Sequence, residues 1–376
     1  MNKRKKRVYL IGDVFGSYRA RVLIELLGSS PDFVYSYSDP GYLTPNKLTV
    51  TRKALFKGAR IVDRLYGLFK FVLADLIYVL PASSLHELEY LLVRTLSKTV
   101  IAEFYVSQYD TYVNDRKVVE PDTKKARKLL ARDQKLIDVS TKIVFLNKAE
   151  QAYYLGIAGR RKEEKNIHII PLSTNSKKKA KLPYINNDSD IITLCWWGTF
   201  IPLHGLEKII GAAEILKTKN VSFKIYLFGS SEELSKHYEA LVRKKQLDDC
   251  VFIDNNKHFS DRSLEFFLAN HCDIAFGNFG DSYKAKTVIV NKIVEAASMG
   301  IPVISQKTTG LTEYFTDKES IIFAKSTPER LSEKILDVMS KKELLLSIAK
   351  QSYAVYKNNF SKESYLRQIS KIISSI

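Results

Sequence analysis

The chain has 376 residues, 45% of them hydrophobic, 11% aromatic and 27% charged, with a formal net charge of +18. That length is too great for one ordinary core and predicts two domains. The three cysteines, Cys195, Cys250 and Cys272, have neither metal-ligand nor disulfide-framework spacing, which predicts a reducing compartment. The charge is unevenly placed. Met1 to Lys181 holds 34 Lys and Arg against 18 Asp and Glu, whereas the remainder holds 25 against 23. The first half should therefore meet an anionic partner: a membrane surface, a nucleic acid or a phosphorylated substrate. The most apolar stretch, Leu65 to Leu80, contains Lys70 and Asp75 and is short for a membrane span. The basic start runs straight into a strand-like Val8 to Ile11 without the apolar core of a signal peptide. The expectation is a cytoplasmic protein, soluble or peripheral on the inner face of the cytoplasmic membrane.

In chain order, Arg7 to Ile11 reads as a strand, Gly12 to Tyr18 as a loop and Arg19 to Leu27 as an amphipathic helix. Phe33 to Tyr37 is the next strand. Ala54 to Leu73 reads as a helix, Leu76 to Leu80 as a strand, Leu85 to Leu96 as a helix and Thr99 to Val106 as a strand, followed by Asp122 to Val139 and Lys142 to Leu146. Between Pro171 and Asp190 the composition changes to Lys177-Lys178-Lys179, Pro183 and Asn186-Asn187-Asp188, the marks of a linker. The rhythm then resumes with strand Ile191 to Cys195, helix Leu206 to Lys217, strand Phe223 to Phe228, helix Glu233 to Lys245, and strands Val251 to Ile253 and Ile274 to Phe276. Helix Asn291 to Met299 stops at Gly300 and feeds strand Pro302 to Ser305, and helices follow from Pro328 to Ala349 and from Lys362 to Ile376. Regular alternation of helix and strand predicts parallel sheets covered on both faces.

Several places carry chemistry. Lys292 and Glu295 lie three apart at a helix start, on one face. A helix N-terminus with a lysine beside it suits a diphosphate, and a carboxylate one turn further in suits a ribose diol. An ordinary crossover with a surface lysine and glutamate fits the same local pattern. Before that helix the loop carries Lys284 and Lys286, and Gly198 to Gly205 forms a glycine loop after the first strand of the second half, with Thr199 and His204 in it. Ligands of open α/β sheets bind beyond the carboxyl ends of strands. Trp196 and Trp197 have faces for stacking, or lie in the core. In the first half, Tyr109, Asp110, Asp115 and Arg116 gather after a strand end, where a carboxylate can take a proton or cap a turn. Arg52 to Leu73 interleaves basic and aromatic residues, as an anionic membrane surface or a helix packed on a sheet would both allow.

The second half resembles the donor-nucleotide domain of GT-B glycosyltransferases, in particular the retaining group 1 family. The residues that carry the likeness are Gly198 to Gly205, Glu295-Ala296 through Gly300-Ile301-Pro302-Val303-Ile304, and Gly310 with Glu313. The family's glycine-loop arginine and lysine are Thr199 and His204 here, and its first glutamate is Thr287. In the first half the likeness is one of topology and of the loop-helix start at Gly16 and Arg19.

The resemblance implies an α/β fold of two Rossmann-like domains facing a cleft, with the C-terminal helices crossing back to the first. The expected limits are residues 1–176 for the acceptor domain, 177–189 for the linker, 190–355 for the donor domain and 356–376 for the returning helix. It implies transfer of a hexose-type sugar from a nucleoside-diphosphate donor to a lipid-linked or membrane-associated glycan, as in polysaccharide biosynthesis, with retention. Gly198, Thr199, His204, Gly205, Lys284, Lys286, Thr287, Asn291, Lys292 and Glu295 would hold the donor. Gly16, Arg19, Tyr109 and Arg116 would face the acceptor. Asp110, Asp115 and His204 are the catalytic candidates, the two aspartates as bases were the enzyme inverting. No metal or cofactor is expected. The expected partners are a nucleotide sugar, a glycan acceptor and an anionic membrane, not a nucleic acid. A sugar-nucleotide epimerase of the same fold and a basic nucleic-acid binder are the alternatives.

Overall fold

The computed structural model describes residues 4–14, 18–37, 65–174, 176, 178–186 and 190–375. The chain divides into two compact units. The first comprises Met1–Leu146, Gln151–Ile170 and Leu366–Ile376, and the second Asn147–Glu150 and Pro171–Tyr365.

The first unit is built on a six-stranded sheet of β1 (Lys6–Ile11), β2 (Phe33–Tyr37), β3 (Leu76–Val79), β4 (Thr99–Glu103), β5 (Lys142–Phe145) and β6 (Ile167–Ile169), ordered β2-β1-β3-β4-β5-β6. Every pairing is parallel. Strands buried on both faces must be apolar throughout, and Leu76 to Val79 is buried at each position. Helix Tyr18–Ser29 follows β1, helix Glu87–Thr95 follows β3 and helix Lys124–Val139 precedes β5. Residues 65–73 are helical, and the rest of the expected helix, 52–64, lies outside the described residues.

The second unit carries β7 (Ile192–Trp197), β8 (Phe223–Phe228), β9 (Val251–Asp254), β10 (Ile274–Phe276), β11 (Val303–Gln306) and β12 (Ile322–Ala324), ordered β12-β11-β10-β7-β8-β9 and all parallel. The chain leaves β7 towards β8 and β9, then returns to build outwards through β10. β7 and β10 are therefore neighbours whose connections depart in opposite directions, which opens a crevice at their carboxyl ends. Alternation along β7 puts Trp196 and Trp197 into different apolar clusters, with Trp196 beside Leu227 and Phe276 and Trp197 beside Phe228 and Leu268.

Elements among the described residues that go beyond the sequence expectation include helix Lys148–Ala158, β6, helix Ser263–His271 and β12. Helix Ser263–His271 has only nine residues and apolar side chains on several sides, so its periodicity is faint. The stretch Pro328 to Ala349 is two helices, Pro328–Met339 and Lys342–Asn359. Residues expected to form a linker group with the second unit. Ala180 N–H bonds Met299 O at 2.9 Å, Lys181 N–H bonds Ala269 O at 2.7 Å, and Leu182 is buried. The final helix, Lys362–Ser374, has its residues from Leu366 in the first unit, where Lys142 Nζ donates to Ile372 O at 3.2 Å. No helix among the described residues is long and apolar enough to cross a membrane.

Candidate active site

The site of the second unit lies at the ends of β7 and β10. Gly198 leaves β7 at φ +144, a conformation open to glycine, and its N–H bonds Phe228 O at 3.0 Å. The chain then turns through a 3₁₀ segment, Pro202–His204, to Gly205 at φ +62. A Cβ on Gly205 would meet Phe279 O at 2.5 Å, because this turn lies flat on the loop after β10 and Phe279 N–H bonds His204 O at 3.1 Å. Gly205 thus serves close backbone packing, which lets the β7 loop and the β10 loop meet without an intervening side chain.

Lys292, the second residue of helix Asn291–Met299, is 4% exposed. Its Nζ lies 4.8 Å over the Trp196 ring, 3.1 Å from His204 Nδ1, and 3.4 Å from where a Cβ on Gly198 would sit. Burial holds this amine down to about 7, against the pull of the Glu295 carboxylate. His204, 7% exposed, is pushed down to about 2 by burial and by the Lys292 charge, so its imidazole is neutral. Glu295 lies one turn along the helix. Its Oε2 accepts from Trp197 Nε1 at 2.6 Å, and burial raises its carboxyl while that hydrogen bond and Lys292 oppose the rise. A cation, a neutral imidazole and a carboxylate therefore share one crevice wall. The helix start beside them has no side-chain cap.

The other expected donor residues sort by exposure. Thr199 is exposed at the loop tip and Asn291 is exposed at the helix start. Lys284 and Lys286 lie in a 3₁₀ turn, Lys284 half-buried and Lys286 exposed. Thr287, at the position of the family's first glutamate, faces inwards. It is 3% exposed and its hydroxyl donates to Lys284 O at 3.1 Å, so its side chain closes its own turn rather than reaching towards a sugar. The tryptophans are buried, which removes the stacking option.

In the first unit, Gly16 lies outside the described residues. Arg19, expected on the acceptor side, is held within the fold. It is 4% exposed, pairs with Glu103 at 3.0 Å, donates to Ile170 O at 2.9 Å and stacks over Tyr105. That geometry ties helix Tyr18–Ser29 to β4 and to the end of β6. Asp110 is fully buried, accepts from the Tyr153 hydroxyl and from Asn114 Nδ2 at 3.2 Å, and starts a π-helix, Asp110–Asp115. Asp115 and Tyr109 are half-buried and Arg116 is exposed. No group of three or more His, Cys, Asp or Glu that could hold a metal ion occurs among the described residues.

Residues 177–355 match the model of the family described as glycosyl transferases group 1. The second unit is a group 1 glycosyl transferase domain. Solved structures extend the likeness in fold to the whole chain. Sucrose-phosphate synthase from Thermosynechococcus elongatus is 16% identical with a TM-score of 0.68, and the match covers 99% of each chain. Anabaena HepE, solved in complex with UDP, is 14% identical with a TM-score of 0.67, covering 99% of this chain and 100% of that one. The lipopolysaccharide outer core galactosyltransferase WaaB is 11% identical with a TM-score of 0.65, covering 98% and 100%. No curated protein matches the chain by sequence. The fold is GT-B, and with a group 1 domain in it the chain is a glycosyltransferase.

The glycosyl transferase domain also has two site supports, Asn278 and Gln306, that the sequence did not set apart. Asn278 follows β10 and is 1% exposed. Its Nδ2 donates to Ala285 O at 3.0 Å, and its Oδ1 stands 3.3 Å from His204 Nδ1. Gln306 Nε2 donates to Gly280 O at 2.8 Å and fixes the same loop from β11. Glu313, which the family pattern marked, accepts from Lys148 N–H and Ala149 N–H at 2.8 and 2.7 Å, capping a helix start. An asparagine after a strand is a usual turn residue, so nothing in the sequence set Asn278 apart.

Proposed function

We propose that the protein moves a hexose-type sugar from a nucleoside-diphosphate donor to a lipid-linked or membrane-associated glycan, with retention and without a resident metal. The observation that carries the donor half is the buried Lys292, set between Trp196, His204 and Gly198 at the β7–β10 crevice. A buried amine drawn down towards neutrality gains most when an anion arrives to favour its charged form. The diphosphate would lie against Lys292, the uncapped start of helix Asn291–Met299 and the exposed Lys286. A ribose diol would meet Glu295, whose Oε1 has no hydrogen bond among the described residues. Asn291 and Thr199 would border the sugar end. Catalysis would be largely electrostatic: as the glycosidic bond breaks, charge collects on the leaving diphosphate, and fixed donors already face it. Departure on the front side would need no protein base. UDP in the HepE complex supports a nucleoside diphosphate as the ligand class.

The acceptor half rests on the first unit. Leu65, Tyr66 and Phe69 are 63%, 57% and 58% exposed on the helix at 65–73. Large apolar residues on a basic half of the chain suit an anionic lipid surface. This supports peripheral attachment at the cytoplasmic membrane, close to a lipid-linked acceptor.

The test is a hydrolysis and transfer screen across UDP-, GDP-, ADP- and dTDP-sugars, with and without chelator. One donor should be turned over, insensitive to chelator, with glycan acceptors accelerating its loss. Loss of activity with chelator would sink the metal-free mechanism. Conversion of the donor to an isomer without acceptor would make the enzyme an epimerase. Equal sedimentation with neutral and anionic liposomes would remove the membrane half.

A further inference from the structure

Both hydrogen-bond contacts of His204 fall on one ring nitrogen. Nδ1 has Lys292 Nζ at 3.1 Å and Asn278 Oδ1 at 3.3 Å. Nε2 has no hydrogen-bond partner among the described residues. The asparagine is held in one orientation, because its Nδ2 donates to Ala285 O at 3.0 Å and so turns Oδ1, an acceptor only, towards the imidazole. Nδ1 therefore faces a fixed acceptor on one side and, on the other, an amine whose role depends on its charge.

A neutral imidazole carries one proton, and what surrounds one nitrogen decides which nitrogen bears it. With Lys292 as an ammonium, the lysine must donate, so Nδ1 keeps its lone pair and the proton sits on Nε2. With Lys292 as a neutral amine, Nδ1–H donates to Asn278 Oδ1, and Nε2 becomes a bare acceptor. We propose that Asn278 and Lys292 together set the tautomer of His204, so that the charge on Lys292 decides whether Nε2 is a hydrogen-bond donor or an acceptor. Asn278 is then a positioning residue.

The functional consequence rests on the donor reading given above. An anionic diphosphate wants a cation at Lys292 and an N–H at Nε2, and these two conditions belong to the same protonation state. The proton count is simple. Binding above neutral pH takes up one proton from solvent, which ends on Lys292 Nζ. The imidazole keeps its single proton, exchanged through solvent from Nδ1 to Nε2. The loop position at which the family carries lysine thus holds a neutral donor here, controlled by a lysine from another element. The charged groups around the pair are few. Glu295, on the lysine's own helix, favours the ammonium, and Lys292 acts on His204. At the adjoining turn Lys208 and Asp281 pair with each other at 2.5 Å, with Lys208 Nζ also on Phe279 O. Trp196 faces both groups but does not titrate. Burial holds the lysine near neutrality, so the change is expected between pH 6 and 9.

Histidine nitrogens report their tautomer through their ¹⁵N chemical shifts. The protein, labelled with ¹⁵N-histidine, is followed from pH 6 to 9, with His204 assigned among the six histidines by His204→Gln. The expected result is the Nε2–H form at low pH, passing to the Nδ1–H form as pH rises, and a return to Nε2–H on adding UDP at the upper end. Lys292→Met should lock Nδ1–H at every pH. Asn278→Leu removes the fixed acceptor and should hold Nε2–H throughout, so the two variants move in opposite directions. One unchanging tautomer in the wild type would overturn the proposal, as would an unaltered transition in Lys292→Met. A pH transition without any response to UDP supports the switch and counts against the diphosphate reading. UDP binding without a tautomer change does the reverse.

Discussion

Two buried cations in this molecule show opposite ways of surviving burial. Arg19, in the first unit, is bonded to its surroundings: Glu103 pairs with it, Tyr78 also donates to Glu103 Oε1 at 2.5 Å, Ile170 O accepts from it, and the Tyr105 ring covers it. Lys292, in the second, has a histidine, an indole face and a glycine beside it, with no carboxylate at ion-pair distance among the described residues. A satisfied buried pair holds elements together. A buried cation without a bonded anion is destabilised in its charged form and is poised for a ligand that supplies one. The same physical penalty is thus answered by the fold in one unit and left for a ligand in the other.

Removal of Arg19 should have the largest effect. Arg19→Met leaves Glu103 buried without its cation, which should lower unfolding stability by about 3–5 kcal/mol. Affinity for a nucleoside diphosphate should hold wherever the protein stays folded. Lys292→Met should do the opposite. It removes a buried amine from an apolar setting, so the melting temperature should hold or rise, while nucleoside-diphosphate affinity falls by about 100-fold, equivalent to about 2.7 kcal/mol. Calorimetric melting and titration on both variants check the pair. Equal effects on stability would mean that Lys292 is structural too.

Sequence made the frame of this comparison legible and its details much less so. Helix Asn291–Met299 could be read because a polar start, an apolar stripe and Gly300 are local signals. The β7 loop could be read from Gly198 and Gly205. Arg19 and Lys292 look alike in sequence, each a basic residue near a helix start, and only the long-range partners separate them: Glu103 is 84 positions from Arg19, and His204 is 88 from Lys292. The partners of Asp110 and Thr287 were hidden for the same reason. A carboxylate or hydroxyl at a strand-end loop reads as available, until Tyr153 or Lys284 O takes it. Short elements such as β12 and helix Ser263–His271 offer too few residues for a period to emerge.

The acidity of Lys292 sharpens the contrast through pH. In the folded, ligand-free protein the amine is held near 7, and in the unfolded chain it returns to about 10.4. Between those values the unfolded state binds more protons, so this group's contribution to stability rises as pH rises from about 7 to about 10. Below 7 the lysine is charged in both states and the full penalty of its burial applies. Denaturant titrations of wild type and Lys292→Met across that window should differ in slope, the variant lacking the rise. Nucleoside-diphosphate affinity should run the other way, falling by up to about tenfold per pH unit above neutrality as the ammonium is lost. Parallel slopes in wild type and variant would remove Lys292 from the account.

The smallest effect tests whether Glu295 belongs to the ligand's side of the comparison or to the fold's. Its Oε2 is held by the Trp197 indole N–H at 2.6 Å. Trp197→Phe keeps an aromatic ring in the same apolar cluster and deletes only that donor. A hydrogen bond to a charged group contributes about 1.5–3 kcal/mol, so stability should drop within that range. If Glu295 holds a ribose, the freed carboxylate rotates and nucleoside-diphosphate affinity falls by about tenfold, near 1.4 kcal/mol. Inorganic pyrophosphate, which has no ribose, should keep its affinity in the variant. A loss shared equally by both ligands would mean that the indole positions the whole helix start, Lys292 included, and that the carboxylate serves the fold as Glu103 does.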